Sequence, residues 1–235
     1  MLTYEQFALN LEKLRARIKG ACDSCGRDFS EVRILPVTKN HPVDAALYAL
    51  KAGLGAVGEN RVQEAESKIP LVDSNLQWEL IGHLQSNKAK RAVELFSRIE
   101  SVDSVHLAKK IDSHAAAIGK KQRILLQINA GADPAKFGAS LDDARALFDE
   151  VLKFANLKIE GLMTIAPLDD DLLVARKTFA NLRTLRDSLQ DEFKISLSEL
   201  SMGMSHDLEC AVEEGATLVR VGTFLYGQRD YGAKY

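Results

Sequence analysis

The 235-residue sequence lacks most of the features that mark specialised classes of protein. It has three cysteines, Cys22, Cys25 and Cys210, which are too few for a disulfide framework. Its formal net charge is only −2, so no bulk field attracts nucleic acid or an anionic membrane surface. Residues 1–6 lack the basic and then apolar profile of a signal peptide, and no apolar run approaches the ~20 residues that span a bilayer. We therefore expect a cytoplasmic protein that binds neither nucleic acid nor membranes.

One short cysteine motif is present, because Cys22 and Cys25 match the pattern C-x-x-C. A redox pair opens a helix after a strand, where the helix dipole lowers the thiol pKa, whereas this pair closes the first predicted helix. A zinc site would need a second pair, and Cys210 stands alone. We interpret the cysteines as surface or incidental residues and predict no metal site.

Short apolar segments alternate with amphipathic segments along the chain. A capping box at Thr3 and Gln6 predicts an opening helix, which ends near Gly26. Strands are then predicted at residues 32–37, 55–60, 77–83, 99–102, 123–128, 159–165, 200–203 and 218–222. Helices are predicted between Pro42 and Gly53 and at 62–68, 88–96, 104–119, 141–154, 172–189, 207–214 and from 224.

About eight βα units in 235 residues match the count and length of a (β/α)8 barrel. We predict an α/β fold in which residues 1–235 form a single TIM-type barrel domain preceded by an extra N-terminal helix. A doubly wound sheet is the alternative, but the Gly-rich phosphate fingerprint that this fold carries after its first strand is missing.

A polar residue ends each predicted strand, and in a barrel these side chains converge on the face that carries active sites. They are Lys39, Asn60, His83, Ser101, Asn129, Thr164, Ser201 and Arg220. The first is the most informative, because the apolar strand Ile34–Val37 runs almost directly into Lys39, and lysine is rarely buried without a partner. The alternative is that Lys39 has left the sheet and points into solvent.

The loops after the seventh and eighth strands have the composition of an anion site. Ser201-Met202-Gly203-Met204-Ser205 opens one helix and Gly222-Thr223 opens the next. Glycine allows close backbone approach, and hydroxyls and helix N-terminal amides bind anions, so we predict a phosphate site here. Ordinary turn glycines and helix caps would explain either loop alone.

Arg220 lies between Val219 and Val221, so its side chain faces into the barrel if the valines pack outward against helices. An inward arginine needs an acceptor, which a phosphate, a carboxylate or a heterocyclic nitrogen would supply. The alternative is a buried ion pair with Glu59 or Asp207. Together with a Schiff-base lysine and a phosphate cradle, such an arginine indicates pyridoxal phosphate (PLP), held by its aldehyde, its phosphate and its ring nitrogen.

In these strand-end residues and loops the sequence resembles the pyridoxal-phosphate homeostasis proteins (YggS/PROSC type), which are relatives of the alanine racemase barrel domain. The matching motifs span nearly the whole chain and are Val37-Thr38-Lys39, Gly58-Glu59-Asn60, residues 81–88, Gly161-Leu162-Met163-Thr164, residues 200–205 and residues 219–223. One departure is Asn40-His41-Pro42, where many relatives have Thr or Lys before the proline.

The resemblance implies a PLP fold-type III barrel without a C-terminal β domain, and it implies a role for each matching residue. Lys39 would hold PLP as a Schiff base and Arg220 would face the pyridine nitrogen. The phosphate would be held by Ser205, Gly222 and Thr223, and the ring pocket would be lined by Asn60, Ser201 and Met204.

The resemblance also bears on whether the site catalyses a reaction. Arginine stays protonated and donates to the ring nitrogen, which leaves a poorer electron sink than a protonated ring. Racemisation needs a second acid or base, which alanine racemases take from a tyrosine of an added C-terminal domain, and this sequence ends at Tyr235. For Tyr226 and Tyr231 we expect packing roles.

We therefore expect a non-catalytic, monomeric PLP-binding protein of vitamin B6 homeostasis and, indirectly, of amino-acid and keto-acid homeostasis, with PLP-dependent apo-enzymes as candidate partners. A small fold-type III racemase or decarboxylase is one alternative. A Schiff-base aldolase that uses Lys39 on sugar phosphates, without a cofactor, is the other.

Overall fold

The structure, a computed structural model, describes residues 2–228 and consists of eight strands and nine α-helices within that range. The strands are β1 (Arg33–Pro36), β2 (Ala56–Glu59), β3 (Gln77–Leu80), β4 (Arg98–Val102), β5 (Gln122–Gln127), β6 (Leu157–Met163), β7 (Glu199–Ser201) and β8 (Leu218–Val221). The helices are α1 (Tyr4–Cys25), α2 (Asp44–Lys51), α3 (Val62–Lys68), α4 (Ala89–Leu95), α5 (Val105–Ala117), α6 (Leu141–Leu152), α7 (Leu172–Phe193), α8 (Leu208–Glu213) and α9 (Thr223–Tyr226).

All eight strands are parallel and form one sheet in the order β1-β8-β7-β6-β5-β4-β3-β2. The sheet closes on itself where the residues just after β1 meet the carboxyl-terminal half of β2. There Val37 pairs with Gly58, and the Thr38 amide donates to the Gly58 carbonyl oxygen at 3.0 Å. The predicted (β/α)8 barrel with an additional N-terminal helix is confirmed.

The opening helix follows its sequence pattern closely. The Gln6 amide donates to Thr3 Oγ1, the Thr3 amide donates to Gln6 Oε1, and the helix ends at Gly26 with φ of 71°. Its apolar face is buried, and the Phe7 ring stacks on Tyr226 of α9 at 5.1 Å. Helix α1 therefore covers the outside of the barrel beside α9.

The predicted element boundaries are right to within a few residues. The third strand is the largest difference at a strand end, because regular pairing stops at Leu80 rather than at His83. Helix α7 continues to Phe193, four residues past the predicted end, and stops where Lys194 adopts a left-handed conformation with φ of 54°. None of the helices within residues 2–228 is long and apolar enough to cross a membrane.

The barrel interior contains a small apolar cluster and a larger charged one. Leu35, Val37, Ile81 and Leu218 pack together on one side of the interior. The charged cluster surrounds Arg98, which is fully buried and forms ion pairs with Glu79, Glu199, Glu100 and Glu160 at 2.6, 3.3, 3.6 and 3.6 Å. The outer core, between the sheet and the helices, is almost entirely apolar.

Candidate functional site

A cavity of about 710 Å³ opens at the carboxyl ends of the strands. Seven of the eight residues predicted to bind a ligand line it: Lys39, Asn60, Met204, Ser205, Arg220, Gly222 and Thr223. The eighth, Ser201, is fully buried and contacts Arg220 from below. The structure thus brings together residues that lie as far apart in the chain as Lys39 and Thr223.

Lys39 follows a backbone segment that buried polar contacts hold in place. Thr38 is buried, and its hydroxyl donates to Glu59 Oε1 at 2.6 Å. The Lys68 ammonium donates both to the Thr38 carbonyl oxygen at 2.9 Å and to Glu59 Oε1 at 2.7 Å. Burial raises the pKa of Glu59, and the charge of Lys68 opposes that rise. These contacts fix the end of β1, so Lys39 enters the cavity from a rigid base.

The residue after Lys39 is anchored as well. Asn40 adopts a left-handed backbone conformation with φ of 59°, and its amide donates to Glu64 Oε1 at 2.6 Å. Asparagine tolerates this conformation better than most residues. Glu64 is also ion-paired with Lys68 at 2.7 Å. Sequence reasoning assigned no role to Glu64, because its contacts depend on helix α3 lying beside the end of β1.

Arg220 points into the barrel, as predicted, while Val219 and Val221 pack in the outer core. Its Nη1 donates to Ser201 Oγ and its Nη2 to the Thr164 carbonyl oxygen, both at 2.7 Å. Burial lowers the pKa of Arg220, and the charges of Glu100 and Asp207 oppose that effect.

The alternative ion pair of Arg220 with Glu59 or Asp207 is not formed among the described residues. Glu59 pairs with Lys68, and Asp207 Oδ1 instead accepts from the Met204 amide at 2.6 Å. The acidic partner of Arg220 is Glu100, reached through Ser201, whose hydroxyl lies 2.5 Å from Glu100 Oε2. Sequence reasoning missed Glu100, which lies in the middle of β4 rather than at a strand end.

The two loops predicted to bind phosphate meet at one side of the cavity. Gly203 has φ of +90°, and a Cβ there would lie 2.4 Å from the Cβ of Ala211. Gly222 packs against Val37, so that a Cβ would lie 3.1 Å from the Val37 carbonyl oxygen. Both glycines therefore permit close backbone packing, which places the Ser205 and Thr223 side chains at the same cavity wall.

A third part of the cavity wall comes from the loop after β5. The Phe137 ring stacks on the His83 ring at 3.9 Å with an interplanar angle of 10°. Gln127 Nε2 donates to the Phe137 carbonyl oxygen at 3.0 Å, and Lys136 also lines the cavity. His83 was predicted at a strand end, and Lys136 and Phe137 lie between the strand predicted at 123–128 and the helix predicted at 141–154, but nothing in the pattern showed that this segment folds back over β3.

The cysteines lie outside this site, and those at positions 22 and 25 are in α1, with Cys22 buried and Cys25 exposed. Within residues 2–228, no group of three or more His, Cys, Asp or Glu side chains is arranged to hold a metal ion. Tyr226 is buried, and its hydroxyl donates to the Ala45 carbonyl oxygen at 2.9 Å, which confirms its packing role. Tyr231 lies outside the described residues.

Comparison with known proteins places this geometry in a family. Residues 9–230 match the family described as the N-terminal domain of alanine racemase. The pyridoxal phosphate homeostasis protein of Aquifex aeolicus is 40% identical over 222 residues, which cover 94% of this chain and 97% of the relative. The protein of the same name from Pseudomonas aeruginosa is 40% identical over 227 residues, with coverage of 96% and 97%.

Solved structures agree with the sequence comparison. PipY of Synechococcus elongatus, solved with PLP bound, has a TM-score of 0.83 and 40% identity, and the match covers 94% of this chain and 100% of PipY. An alanine racemase of Clostridium difficile has a TM-score of 0.77 at 19% identity, covering 95% of this chain and 57% of the racemase, and this likeness concerns the fold alone. The chain belongs to the pyridoxal phosphate homeostasis protein family, whose barrel is that of the alanine racemase N-terminal domain.

Proposed function

We propose that this protein binds PLP in the cavity at the barrel mouth and serves its homeostasis in the cell without turning over an amino acid. The observation that carries the proposal is the meeting of Lys39, Arg220 and the loops of Ser205 and Thr223 in one cavity. The names of the curated relatives, and the PLP bound to PipY, support the same assignment.

The chemistry of the cavity wall fits PLP group by group. A lysine amine can condense with the aldehyde of PLP, with loss of water, to form a Schiff base at Lys39. The described contacts use two of the five N–H groups of Arg220, which also lines the cavity and can donate to the pyridine nitrogen. The hydroxyls of Ser205 and Thr223, with the start of α9 at Thr223, suit a phosphate.

Two further features of the wall favour a polar, aromatic ligand. Gln127 Oε1 is buried and accepts no hydrogen bond from the described residues, so a donor in the cavity would satisfy it. Asn60 and Met204 offer an amide and a polarizable thioether to a flat ring. Gln127 was not among the residues predicted from the sequence.

Arg220 also argues for binding rather than catalysis. A guanidinium beside the ring nitrogen donates a hydrogen bond and does not give up its proton, so the ring withdraws electrons less strongly than a protonated one.

We further propose that delivery of PLP to apo-enzymes takes place at this open end of the barrel. Phe137 at the rim is 57% exposed, which supports access to the site from solvent.

A fold-type III enzyme is the second candidate, and one observation favours it. His83, His206 and Lys136 line the same cavity, and each is a type of side chain that can accept or donate a proton. The wall therefore contains candidates for the acid and base that a racemase needs, apart from Lys39 itself.

The decisive experiment is to record the visible absorption of the purified protein with PLP, reduce it with borohydride and map the labelled peptide. We expect a yellow wild type labelled at Lys39, and at least a tenfold loss of label in Lys39→Ala. Lys136→Ala is the matched control, because it removes another lysine of the same cavity and should leave the label at Lys39.

Other outcomes would overturn the proposal in distinguishable ways. A wild type that stays colourless with PLP, and is trapped by borohydride only with a sugar phosphate, would establish the aldolase. Turnover of an amino acid that Lys39→Ala abolishes would establish the fold-type III enzyme. Label on Lys136 in place of Lys39 would refute the assignment of the Schiff base.

A further inference from the structure

A chain of buried polar side chains connects the cavity to the charged cluster below it. Arg220 Nη1 donates to Ser201 Oγ at 2.7 Å, and Ser201 Oγ lies 2.5 Å from Glu100 Oε2. Ser201 and Glu100 are fully buried, and Arg220 is 4% exposed. Glu100 in turn lies 3.6 Å from Arg98, so the chain spans the interior from β8 to β4.

The chemistry of these groups fixes the direction of the hydrogen bonds. A guanidinium has only donors, so Ser201 must accept from Arg220. Ser201 in turn donates its hydroxyl proton to Glu100 Oε2 at 2.5 Å. The carboxylate thus acts on Arg220 through one hydroxyl, at a short distance and away from water.

We propose that Glu100 is a positioning residue that holds the Arg220 guanidinium in the cavity through Ser201 and balances its charge. The inference rests on the proposed function, since its consequence is the electrostatic environment of PLP on Lys39. The charge of Glu100 would act on a ligand whose ring nitrogen lies at Arg220, although the Glu100 carboxylate itself does not line the cavity.

The charged cluster explains how Glu100 remains available to Arg220. Glu79 accepts hydrogen bonds from Nε and Nη2 of Arg98, at 3.0 and 2.6 Å. Burial and the nearby charge of Glu100 raise the pKa of Glu79 to about 8, although the charge of Arg98 opposes that rise. Glu79 therefore occupies Nε and Nη2 of Arg98, while Glu100 Oε2 faces Ser201.

Other charged groups lie near this hydrogen-bonded chain of Arg220, Ser201 and Glu100, and they also affect any pH measurement. Besides Ser201, the groups near Arg220 are Asp207, whose charge acts on it, and the cavity residues Lys39, His83, Lys136 and His206. Besides Glu79, Glu199 and Glu160 share Arg98 with Glu100. Glu160 is useful because it belongs to the cluster and has no described contact with Ser201 or Arg220.

The test compares Glu100→Gln with Glu160→Gln by the pH dependence of the PLP absorption band. Glutamine preserves the shape of the side chain and removes its charge. Loss of the Glu100 charge leaves Arg220 less compensated, so the positive potential in the cavity rises and a protonated Schiff base at Lys39 loses its proton more easily. We expect the midpoint of the spectral transition to move down by ~0.5 pH unit or more in Glu100→Gln, and by less than ~0.2 in Glu160→Gln.

Two results would overturn the inference: an unchanged midpoint in Glu100→Gln, or equal shifts in the two variants, which would indicate a general effect of cluster charge. A wild type that forms no Schiff base would instead refute the proposed function.

A second pair of variants covers the case in which Glu100→Gln does not fold. Ser201→Ala removes the connecting hydroxyl and keeps every charge, and Ser201→Thr restores a hydroxyl. We expect the dissociation constant for PLP, measured by equilibrium dialysis, to rise about tenfold in Ser201→Ala and to recover in Ser201→Thr. Unchanged PLP binding in Ser201→Ala would contradict the positioning role.

Discussion

Arg98 on β4 and Arg220 on β8 are both buried in this barrel, at 0% and 4% exposure, yet their surroundings differ. Burial alone would lower the pKa of Arg98, but the carboxylates of Glu100, Glu79 and Glu199 outweigh it and raise that pKa. The pKa of Arg220 moves the other way, because burial outweighs the opposing charges of Glu100 and Asp207. One arginine is thus surrounded by acids of its own chain, whereas the other contacts neutral oxygens and lines the cavity.

The two halves of the barrel interior also differ: the lower half holds the charged cluster around Arg98, and the upper half holds the cavity. In the lower half the acidic and basic side chains neutralise one another, as Arg123 with Glu160 at 2.9 Å and Arg33 with Glu199 at 2.6 Å also show. In the upper half the polar groups surround a cavity, and some of their bonding capacity is unused, as at Gln127 Oε1. Arg98 Nη1 and Glu100 Oε1 in the lower half also lack a hydrogen bond, so the halves differ in that the polar groups of the upper half adjoin a cavity that a ligand can enter.

The largest expected effect comes from exchanging the two arginines for methionine, separately. Arg98→Met leaves several buried carboxylates without their cation and should lower the free energy of unfolding by about 3–5 kcal/mol. Arg220→Met removes two hydrogen bonds to neutral oxygens and should cost about 1–3 kcal/mol, while it abolishes most PLP binding. Chemical denaturation of the PLP-free proteins gives both values.

A surface arginine provides the baseline for this experiment. Arg145 pairs with Glu192, and its side chain is 64% exposed, so Arg145→Ala should change stability by less than about 1 kcal/mol. If Arg98→Met were as stable as Arg145→Ala, the buried cluster would contribute nothing to the fold, and the contrast between the two halves of the interior would fail.

The next effect concerns the glycine loop of the upper half. Gly203→Ala introduces a Cβ 2.4 Å from the Cβ of Ala211 at a φ of +90°, so the loop that carries Met204 and Ser205 must move. We expect a loss of about 1–3 kcal/mol in stability and about a tenfold loss of PLP affinity. Thermal unfolding and equilibrium dialysis measure the two effects.

Gly20→Ala is the matched control, because Gly20 lies within α1 and an added Cβ there meets no atom within 4 Å. This variant should gain about 0.5–1 kcal/mol and bind PLP as the wild type does. A Gly203→Ala protein with unchanged PLP affinity would show that the loop takes no part in binding.

The sequence was sufficient to predict the barrel, because each strand and helix is encoded by local periodicity and by turn residues at its ends. Capping by Thr3, the stop at Gly26 and the inward face of Arg220 all follow from short-range rules. The polar residues at the strand ends, combined with the resemblance, likewise predicted that Lys39 and Thr223 lie on one face of the barrel.

The sequence was not sufficient to predict contacts that depend on the register between distant strands. Glu100 reads as a charge in the middle of a strand, and only the packing of β4 across the interior from β8 connects it to Arg220 through Ser201. The stacking of Phe137 on His83 has the same origin, since the path of a long loop has no periodic signal. Partners across the barrel were therefore missed, although most residues of the cavity wall were predicted.

The smallest expected effect is a change in the pH dependence of stability at Glu79, in the lower half. The pKa of Glu79 in the folded protein is about 8, well above the ordinary value of 4.5. The folded protein therefore keeps a proton that the unfolded chain loses, and this stabilisation is complete below pH 4.5 and disappears as the pH rises through about 8. Glu79→Gln resembles the protonated acid and has no proton to lose, so its Tm should fall less than that of the wild type between pH 5 and pH 9, by about 3 °C or more.

Glu160→Gln is the control and should not reduce this fall, because the pKa of Glu160 is lowered rather than raised. Burial opposes that shift, but Lys158 and Arg123 outweigh it. Equal pH profiles for Glu79→Gln and the wild type would contradict the raised pKa of Glu79 in the folded protein.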